Sequence, residues 1–584
     1  MILQALTQYY DALNARGEID APGWGKPKIS YALCLRENGE LMQVIPLLHE
    51  VEVGKKKVLR PREDIRLPAA VKRSSGIASN FLWDNSTYLL GVDNKDKDKA
   101  DKKNKPERSL QCFKAAAALH HELLDGVDSP FARAVLAFFD TWNPAEAEQH
   151  PALANEYDKI IAAANLVFYA NGQYPADDPA LCAAWQAHYD SDSDAPKQQC
   201  LVTGQLDEIA AVHPSIKGVR DAQSSGAALV SFNAPAFCSY GHEQNYNAPV
   251  GKHAAFAYTA ALNHLLADQN HKQYIGDTTV IYWVDTAEPQ YPDVFSMLWG
   301  NEVEGWTEND LAAALKFLAH GDPCKELKLD PNRTFYILGL APNAARLSVR
   351  FFLKNTFGTL MKNVNAHYER LKIDRPSFAP TGYLPLWQLL AETVNQSARD
   401  KKPSPVMAGA TARAIWNGEL YPAALLNGIL LRIRADSDMN WRRAAILKAY
   451  LMQNYNNHPV LQEVAYMHLN EDCTYQPYVL GQLFYVLEEI QLASVDYKIN
   501  RSIKDSYFRA AGSTPKTAFT KIIPLSEYHM KKLLRDKHNY AVKLQNEKEH
   551  LLSLMTETLP SRYTPEETIC FYLGYYHRKV KEDK

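Results

Sequence analysis

Leu480, Leu483, Phe484, Leu487 and Ile490 recur at three- and four-residue spacing, which places all five on one stripe of an α-helix. Further on, Thr564-Pro565-Glu566-Glu567 puts a hydroxyl at a cap, proline at the first helical position and a carboxylate three residues after the cap. A helix starts there. Pro376, Pro380, Pro385, Pro403 and Pro405 punctuate the chain before this part. Residues 376–584 therefore read as a C-terminal α-helical bundle.

The earlier chain has a different period. Ile29, Tyr31, Leu33 and Leu35 alternate, as a half-buried strand does. Asn38-Gly39 predicts a type I′ turn, with a returning strand over 41–48. A second ribbon is expected through Val51, Val53, Gly54 and Val58, with Lys55, Lys56, Lys57, Arg60, Arg62 and Arg66 as a basic loop beside it. Leu3, Leu6, Tyr10 and Leu13 share a helix face. Asp93 to Arg108 is low-complexity and without apolar residues, so it reads as a mobile surface loop. Residues 110–190 are Ala-rich and helical in pattern, and Ser191–Gln199 reads as a linker. A helix is expected over Lys252–Leu266. Thr278–Val284 and Thr334–Leu340 read as buried strands from their β-branched and aromatic content. The fold class is α+β, a mixed α/β N-terminal body with β-hairpins followed by the helical bundle. The segments divide at 1–110, 111–199, 200–375 and 376–584.

Bulk features exclude several classes. No run of about 18 apolar residues occurs, so no transmembrane helix is expected. The first twenty residues lack a basic start and a long apolar core, so no signal peptide is expected. The eight cysteines form no CxxC pair, which reads as reduced thiols in a cytoplasmic protein. There is no GxxxxGK[ST], GxSxG, HExxH or EF-hand loop. Cys200, His213, Cys238 and His242 fit no common zinc spacing. His120-His121 reads as one buried and one exposed helix position. Enzyme chemistry has no positive support, and no cofactor or metal is expected.

The whole-chain charge of −3 first argues against nucleic acid. Its distribution argues otherwise. Residues 1–108 hold 19 Lys and Arg against 15 Asp and Glu, net +4. Residues 109–199 hold 4 against 13, net −9, and residues 498–548 hold 12 against 4, net +8. In the last segment Arg501, Lys504, Arg509, Lys531, Lys532 and Arg535 favour a polyanion over an ordinary solvated face.

Val219 to Val250 carries Gln223, Ser224, Ser225, Asn233, Ser239, Tyr240, Gln244, Asn245 and Asn247. Amides and hydroxyls at this density are costly in a dry core unless paired. They fit a scaffold whose amides satisfy its own backbone, or a surface that touches a polar polymer through base edges and phosphates. Val71 to Gly91 interleaves Lys72, Arg73, Ser74 and Ser75 with Asn80, Phe81, Trp83 and Asn85. That suits a nucleic-acid contact or a charged loop entering a buried strand. Arg346 and Arg350, four apart, are expected on one helix face as phosphate contacts, or on an ordinary solvated face.

Together these stretches resemble the large subunit of the type I-C CRISPR Cascade surveillance complex, the Csd family. The matching text is CLVTG (200–204), HPSIKGV (213–219), AQSSGAALVSFNAPAFCSYG (222–241) and QNYNAPV (244–250). FLWDNSTYLLGVD (81–93), FYILGLAPNAARLSVRFF (335–352), LGQLFYVLEEIQ (480–491) and IKDSYF (503–508) extend it. The resemblance implies a non-catalytic subunit that reads the protospacer-adjacent motif (PAM) on double-stranded DNA, while guide RNA pairing reads the target. It implies help in unwinding the target for R-loop formation, support of the displaced strand and recruitment of a helicase–nuclease. Implied partners are the guide RNA ribonucleoprotein with its Cascade backbone subunits, and a small subunit. That subunit corresponds to the C-terminal helices and begins at an internal start, best placed at Met467, with Met452 and Met439 as alternatives. The PAM candidates are Lys72, Arg73, Ser74, Ser75, Asn80 and Asn85 with the 223–247 residues above. The DNA-backbone candidates are Lys55, Lys56, Lys57, Arg346, Arg350 and the six basic residues of 498–548. The rival readings are a hydrolase or nuclease with an unrecognised site, and a purely structural scaffold.

Overall fold

Helix α1 (Ile2–Ala15) buries Ala5, Leu6, Tyr9, Tyr10 and Leu13, the face that its apolar spacing marks. The computed structural model describes residues 1–53, 56–71, 73, 76–94, 106–162, 164–191, 196–379, 383–555 and 558–583. The expected hairpin is present as antiparallel β1 (Tyr31–Leu35) and β2 (Leu41–Pro46). Its connection is not the type I′ turn. Among the loop residues 37–39 only Gly39 is left-handed, with φ +83°, and its N–H donates to the Arg36 carbonyl. A turn over Glu37-Asn38 closed by a left-handed glycine suits a three-residue connection. Gly39 also lies against the next layer: a Cβ there would come within 2.4 Å of the Ala137 backbone.

β3 (Leu48–Val53) and β4 (Lys56–Pro61) form the second ribbon. β5 (Trp83–Asn85) runs into the short α2 (Ser86–Leu89), and α3 (Pro106–Leu124) and α4 (Pro130–Thr141) follow. Of the low-complexity stretch, residues 95–105 lie outside the described residues and Pro106–Arg108 open α3. The Ala-rich region is not wholly helical, because β6 (Asn165–Ala170) interrupts it. β6 pairs in parallel with β1 and antiparallel with β5, giving the strand order β2-β1-β6-β5. Leu33, Phe81, Phe138, Phe168 and Trp185 meet in the core on this sheet. Part of the expected linker, Lys197–Gln199, is strand β7, paired with β8 (Leu206–Glu208).

After a largely irregular stretch, α5 (Lys252–Ala267) packs beside α1. A second sheet of β9 (Lys272–Ile275), β10 (Thr278–Val284), β11 (Thr334–Asn343) and β12 (Arg346–Thr356) is antiparallel throughout. β10 is buried on both faces. Ile281 and Trp283 join the core under α1 and α5, while Val280, Tyr282 and Val284 join the core shared with the C-terminal helices. A strand with no solvated face has no polar alternation to show.

The expected helix over Arg346 and Arg350 is a correction: both lie in β12. A spacing of four satisfies a strand period of two as well as a helix. The ladder shifts where Leu340 faces Val349 and Gly339 faces Phe351, so Arg350 sits in a β-bulge.

The helices that matter below are α6 (Phe357–Leu371), α7 (Pro405–Asn417), α8 (Trp441–Asn454), α9 (Gln476–Ser494), α10 (Pro515–Asp536) and α11 (Pro565–Asp583). The expected stripe of α9 is present, but α9 is buried almost all round, Glu488 and Glu489 included. The capping box of α11 forms: Thr564 N–H donates to Glu567 at 2.7 Å, and Glu567 N–H to the Thr564 hydroxyl at 3.3 Å. Among the described residues no helix is long and apolar enough to cross a membrane.

Candidate nucleic-acid interface

The amide-rich stretch is irregular, yet it is tied to β12. Ala228 makes a parallel bridge with Arg346. Its N–H donates to Ala345 O at 3.0 Å, and its carbonyl accepts from Leu347 N–H at 2.9 Å. Arg346 then serves as a post for the loop. It donates to Asn233 Oδ1 at 2.6 Å and lies 3.8 Å over the Phe237 ring.

Beyond Phe237 the chain makes a small closed loop. Asn247 Oδ1 accepts the Ser239 N–H at 2.8 Å, and its amide donates to His242 O at 3.0 Å and Gln244 O at 2.9 Å. One side chain thus stiffens residues 239–247 from within. Tyr240 stands at the tip, 98% exposed with φ +53°, and Gln244 is exposed with φ +48°. Left-handed backbone in bulky residues is strained, so the loop holds these two where a relaxed chain would not. Gln223, Ser224, Ser225 and Ser239 are also exposed. Asn245 is the exception: it is buried, its N–H donates to Ala211 O, and its Oδ1 has no partner.

The second PAM segment turns inward. Asn80 is buried and accepts the Val71 N–H at 2.8 Å. Asn85 caps α2 by accepting the Thr87 N–H. Arg73 is paired with Asp84, donates to Ala78 O at 2.6 Å and lies 4.1 Å over Tyr88. Asp84 is 1% exposed, and burial pushes its carboxyl up despite Arg73. Removing Arg73 would leave a buried carboxylate unpaired. These three groups are therefore spent on folding residues 71–88. Lys55, Lys72, Ser74 and Ser75 lie outside the described residues, and Lys56 is placed in β4 by its backbone.

The backbone candidates also divide. Lys57 is paired across the ribbon with Glu50 at 2.9 Å, and Arg350 with Asp277 at 2.9 Å. Both pairs are exposed and weak. Lys504 points into the bundle, over Phe508 and Tyr575, where burial pushes its ammonium down against the pull of Glu488. Arg501, Arg509 and Lys531 are exposed, Lys532 is half-buried, and Arg535 pairs with its neighbour Asp536.

Sequence reading missed the aromatic partners of these cations. Phe237 is 45% exposed under Arg346, and Tyr528 is 72% exposed on α10. On α10, Lys521, Leu525, Tyr528, Lys532 and Arg535 recur at four- and three-residue steps, one basic and aromatic stripe. The signal was the same interleaving of cation and ring noted at Val71–Gly91. Cys200, His213 and Cys238 are engaged in their own packing, and among the described residues no three metal-ligating side chains converge.

A search of the curated proteins finds no match. A family model described as CRISPR-associated protein (Cas_Csd1) matches residues 6–582, and the chain belongs to that family.

Proposed function

We propose that this chain is the non-catalytic DNA-recognition subunit of a type I-C Cascade complex in the cytoplasm. It reads the PAM on double-stranded DNA, helps unwind the target for the R-loop, supports the displaced strand and recruits the helicase–nuclease. One observation carries the reading: the Asn247-closed loop presents Tyr240 and Gln244 beside the Arg346–Phe237 pair, on a backbone tied to β12. Exposed amides suit base edges, and an exposed ring suits an unstacked base.

The test is binding of a PAM-bearing duplex by the assembled complex with its guide RNA. Arg346→Ala and Gln244→Ala are expected to weaken binding by about 1–3 kcal/mol each. Asn80→Ala is expected to lower the melting temperature and leave the affinity of the folded protein unchanged. Unchanged affinity in both loop variants would remove this face from PAM reading.

The basic stripe on α10 is the surface we assign to the displaced strand. The exposed Tyr528 ring stands among Lys521, Lys532 and Arg535 there, a combination that suits a single strand. Replacing the stripe cations Lys521, Lys532 and Arg535 by Gln is expected to flatten the log–log salt dependence of single-strand binding by about 0.7 per lost contact, about 2 in total. An unaltered slope would take α10 off the strand's path. A small subunit beginning at Met467 would retain α9, α10 and α11, and with them this stripe.

A further inference from the structure

Among the described residues five glycines lie inside helices: Gly358, Gly409, Gly428, Gly481 and Gly574. Four have a packing reason. A Cβ on Gly358, Gly428, Gly481 or Gly574 would meet a neighbour at 2.6, 3.1, 2.0 or 2.1 Å. Gly409 has none, because a Cβ there would meet nothing within 4 Å. Glycine inside a helix costs stability relative to alanine, so a glycine facing open space is unexplained by the fold.

The open space is a cavity of about 360 Å³ between α7 and the bulge of β12. That size falls within the range of small-ligand sites. Its floor is apolar, formed by Phe351, Gly409 and Ala410, with the exposed Val406 at the edge. Its charged rim is Arg350, Asp277 and Arg413. The bulge that makes Arg350 an extra residue in the ladder aims it here, beside Phe351. Arg350 is partly neutralised by Asp277 at 2.9 Å. Arg413 has no ion-pair partner among the described residues, and it lies four residues beyond Gly409 on the same face of α7.

We propose that this cavity binds a nucleotide, with the base against Phe351 and the Gly409–Ala410 wall and the phosphate on Arg413. Guanidinium groups match phosphate geometry with two parallel donors. The missing Cβ of Gly409 keeps the wall low enough for a flat ring to enter. The site is separate from the Asn247-closed loop and does not depend on that loop reading a PAM. The choice of a nucleotide over other anions with a flat apolar body rests on the chain's role in a CRISPR system.

The nucleotide is either free or one unit of a single strand, and the test separates the two. The full-length protein is heated with thymidine monophosphate, with inorganic phosphate, and without ligand. In parallel it is cross-linked to a ten-residue deoxythymidine strand carrying one 5-iododeoxyuridine, with adducts mapped by mass spectrometry. Expected results are a melting temperature raised by the monophosphate but not by phosphate, or adducts on the peptides holding Phe351 and Val406. The first identifies a free nucleotide and the second a unit of a strand. Gly409→Leu and Arg413→Ala are each expected to reduce the effect at least tenfold. Gly409→Ala is expected to melt at or above the parent temperature, which shows that the fold does not need the glycine. Absence of both signals, equal stabilisation by phosphate alone, or full binding by Gly409→Leu would overturn the assignment. The duplex-binding test of Arg346 and Gln244 can fail or succeed independently of all these outcomes.

Discussion

Gly481→Ala is expected to destabilise the C-terminal bundle by about 3 kcal/mol, at the upper end of what overpacking typically costs. The reason is where α9 crosses α11. A Cβ on Gly481 would stand 2.0 Å from Phe571 O and 2.8 Å from Tyr575 N. Both are backbone atoms of a buried helix, so no rotamer change relieves the contact and the helices must part. Gly574 is the reciprocal case, its Cβ meeting Tyr478 O at 2.1 Å. Parting them disturbs the polar contacts at the crossing, where the Tyr575 hydroxyl donates to Glu488 at 2.8 Å and Tyr478 meets His577 at 2.9 Å. Glu488 is buried, and burial already holds its carboxyl above the usual range. The double variant is informative because both glycines face one crossing. Once the first Cβ has separated the helices, the second enters space already opened, so the double cost falls well short of the sum. Thermal and urea unfolding of the two single variants and the double one measure this. An unshifted midpoint for Gly481→Ala would mean that the helices do not cross as closely as described.

Neither glycine stands out in the sequence, although the helices that carry them do. The stripe of α9 and the capping box of α11 are local patterns, and both were legible because each is decided within a few residues. The buried strands β10 and β11 were legible for the same reason. What was hidden depends on partners far along the chain. β6 sits inside an Ala-rich helical stretch, and its NLVFYA alternates poorly because a strand between β1 and β5 is buried on both faces. Arg346 and Arg350 show a spacing that helix and strand share, and only the ladder with β11 decides between them. The family was legible from long motifs rather than from any physical pattern.

The candidate site was legible only in part, for a related reason. Asn80, Asn85 and Arg73 have the chemistry of a DNA contact, but the same donors and acceptors serve Val71, Thr87 and Asp84 of this chain. Composition does not tell a partner's backbone from the chain's own. Asn247 illustrates the mixture: it was singled out as a possible base reader, and its three hydrogen bonds instead hold the loop that exposes Tyr240 and Gln244. Lys504 was counted in a basic run, yet its side chain lies over Tyr575 inside the bundle.

Acid is expected to unfold the protein in a window set largely by four of its buried histidines, and burial lowers a fifth, His271, in the same direction. Burial pushes His120 and His213 down to about 4, and His367 and His577 down to about 3. The ring contacts agree with neutral imidazoles. His120 Nε2 accepts the Leu82 N–H at 2.9 Å while Nδ1 meets Ala116 O at 2.7 Å, so a second ring proton would point at another N–H. His213 and His577 meet tyrosine hydroxyls through Nδ1 and leave Nε2 buried without a partner. His367 meets the Tyr421 hydroxyl at 2.6 Å, and Arg370 adds a positive charge nearby. All four folded pKa values lie below the unfolded value of about 6.5, so the unfolded chain binds more protons in this range. Their stabilisation is fully present above pH ~6.5 and is lost as pH falls toward 4 and 3. Each costs about 1.4 kcal/mol per pH unit inside its window, so the set removes on the order of 5 kcal/mol or more between pH 6.5 and 5. His121 has the opposite sign: Asp125 and then Asp140 raise it, against some desolvation. Its contribution is present at low pH and lost as pH rises, but the ring is largely solvated, so screening keeps it small. The melting temperature measured from pH 7.5 to 5 should therefore hold steady to about 6.5 and then fall steeply. His577→Gln should flatten the fall by removing one of the four proton sites, whatever it does to stability at neutral pH. A melting temperature that stays level down to pH 5 would show that these rings are not held neutral in the fold.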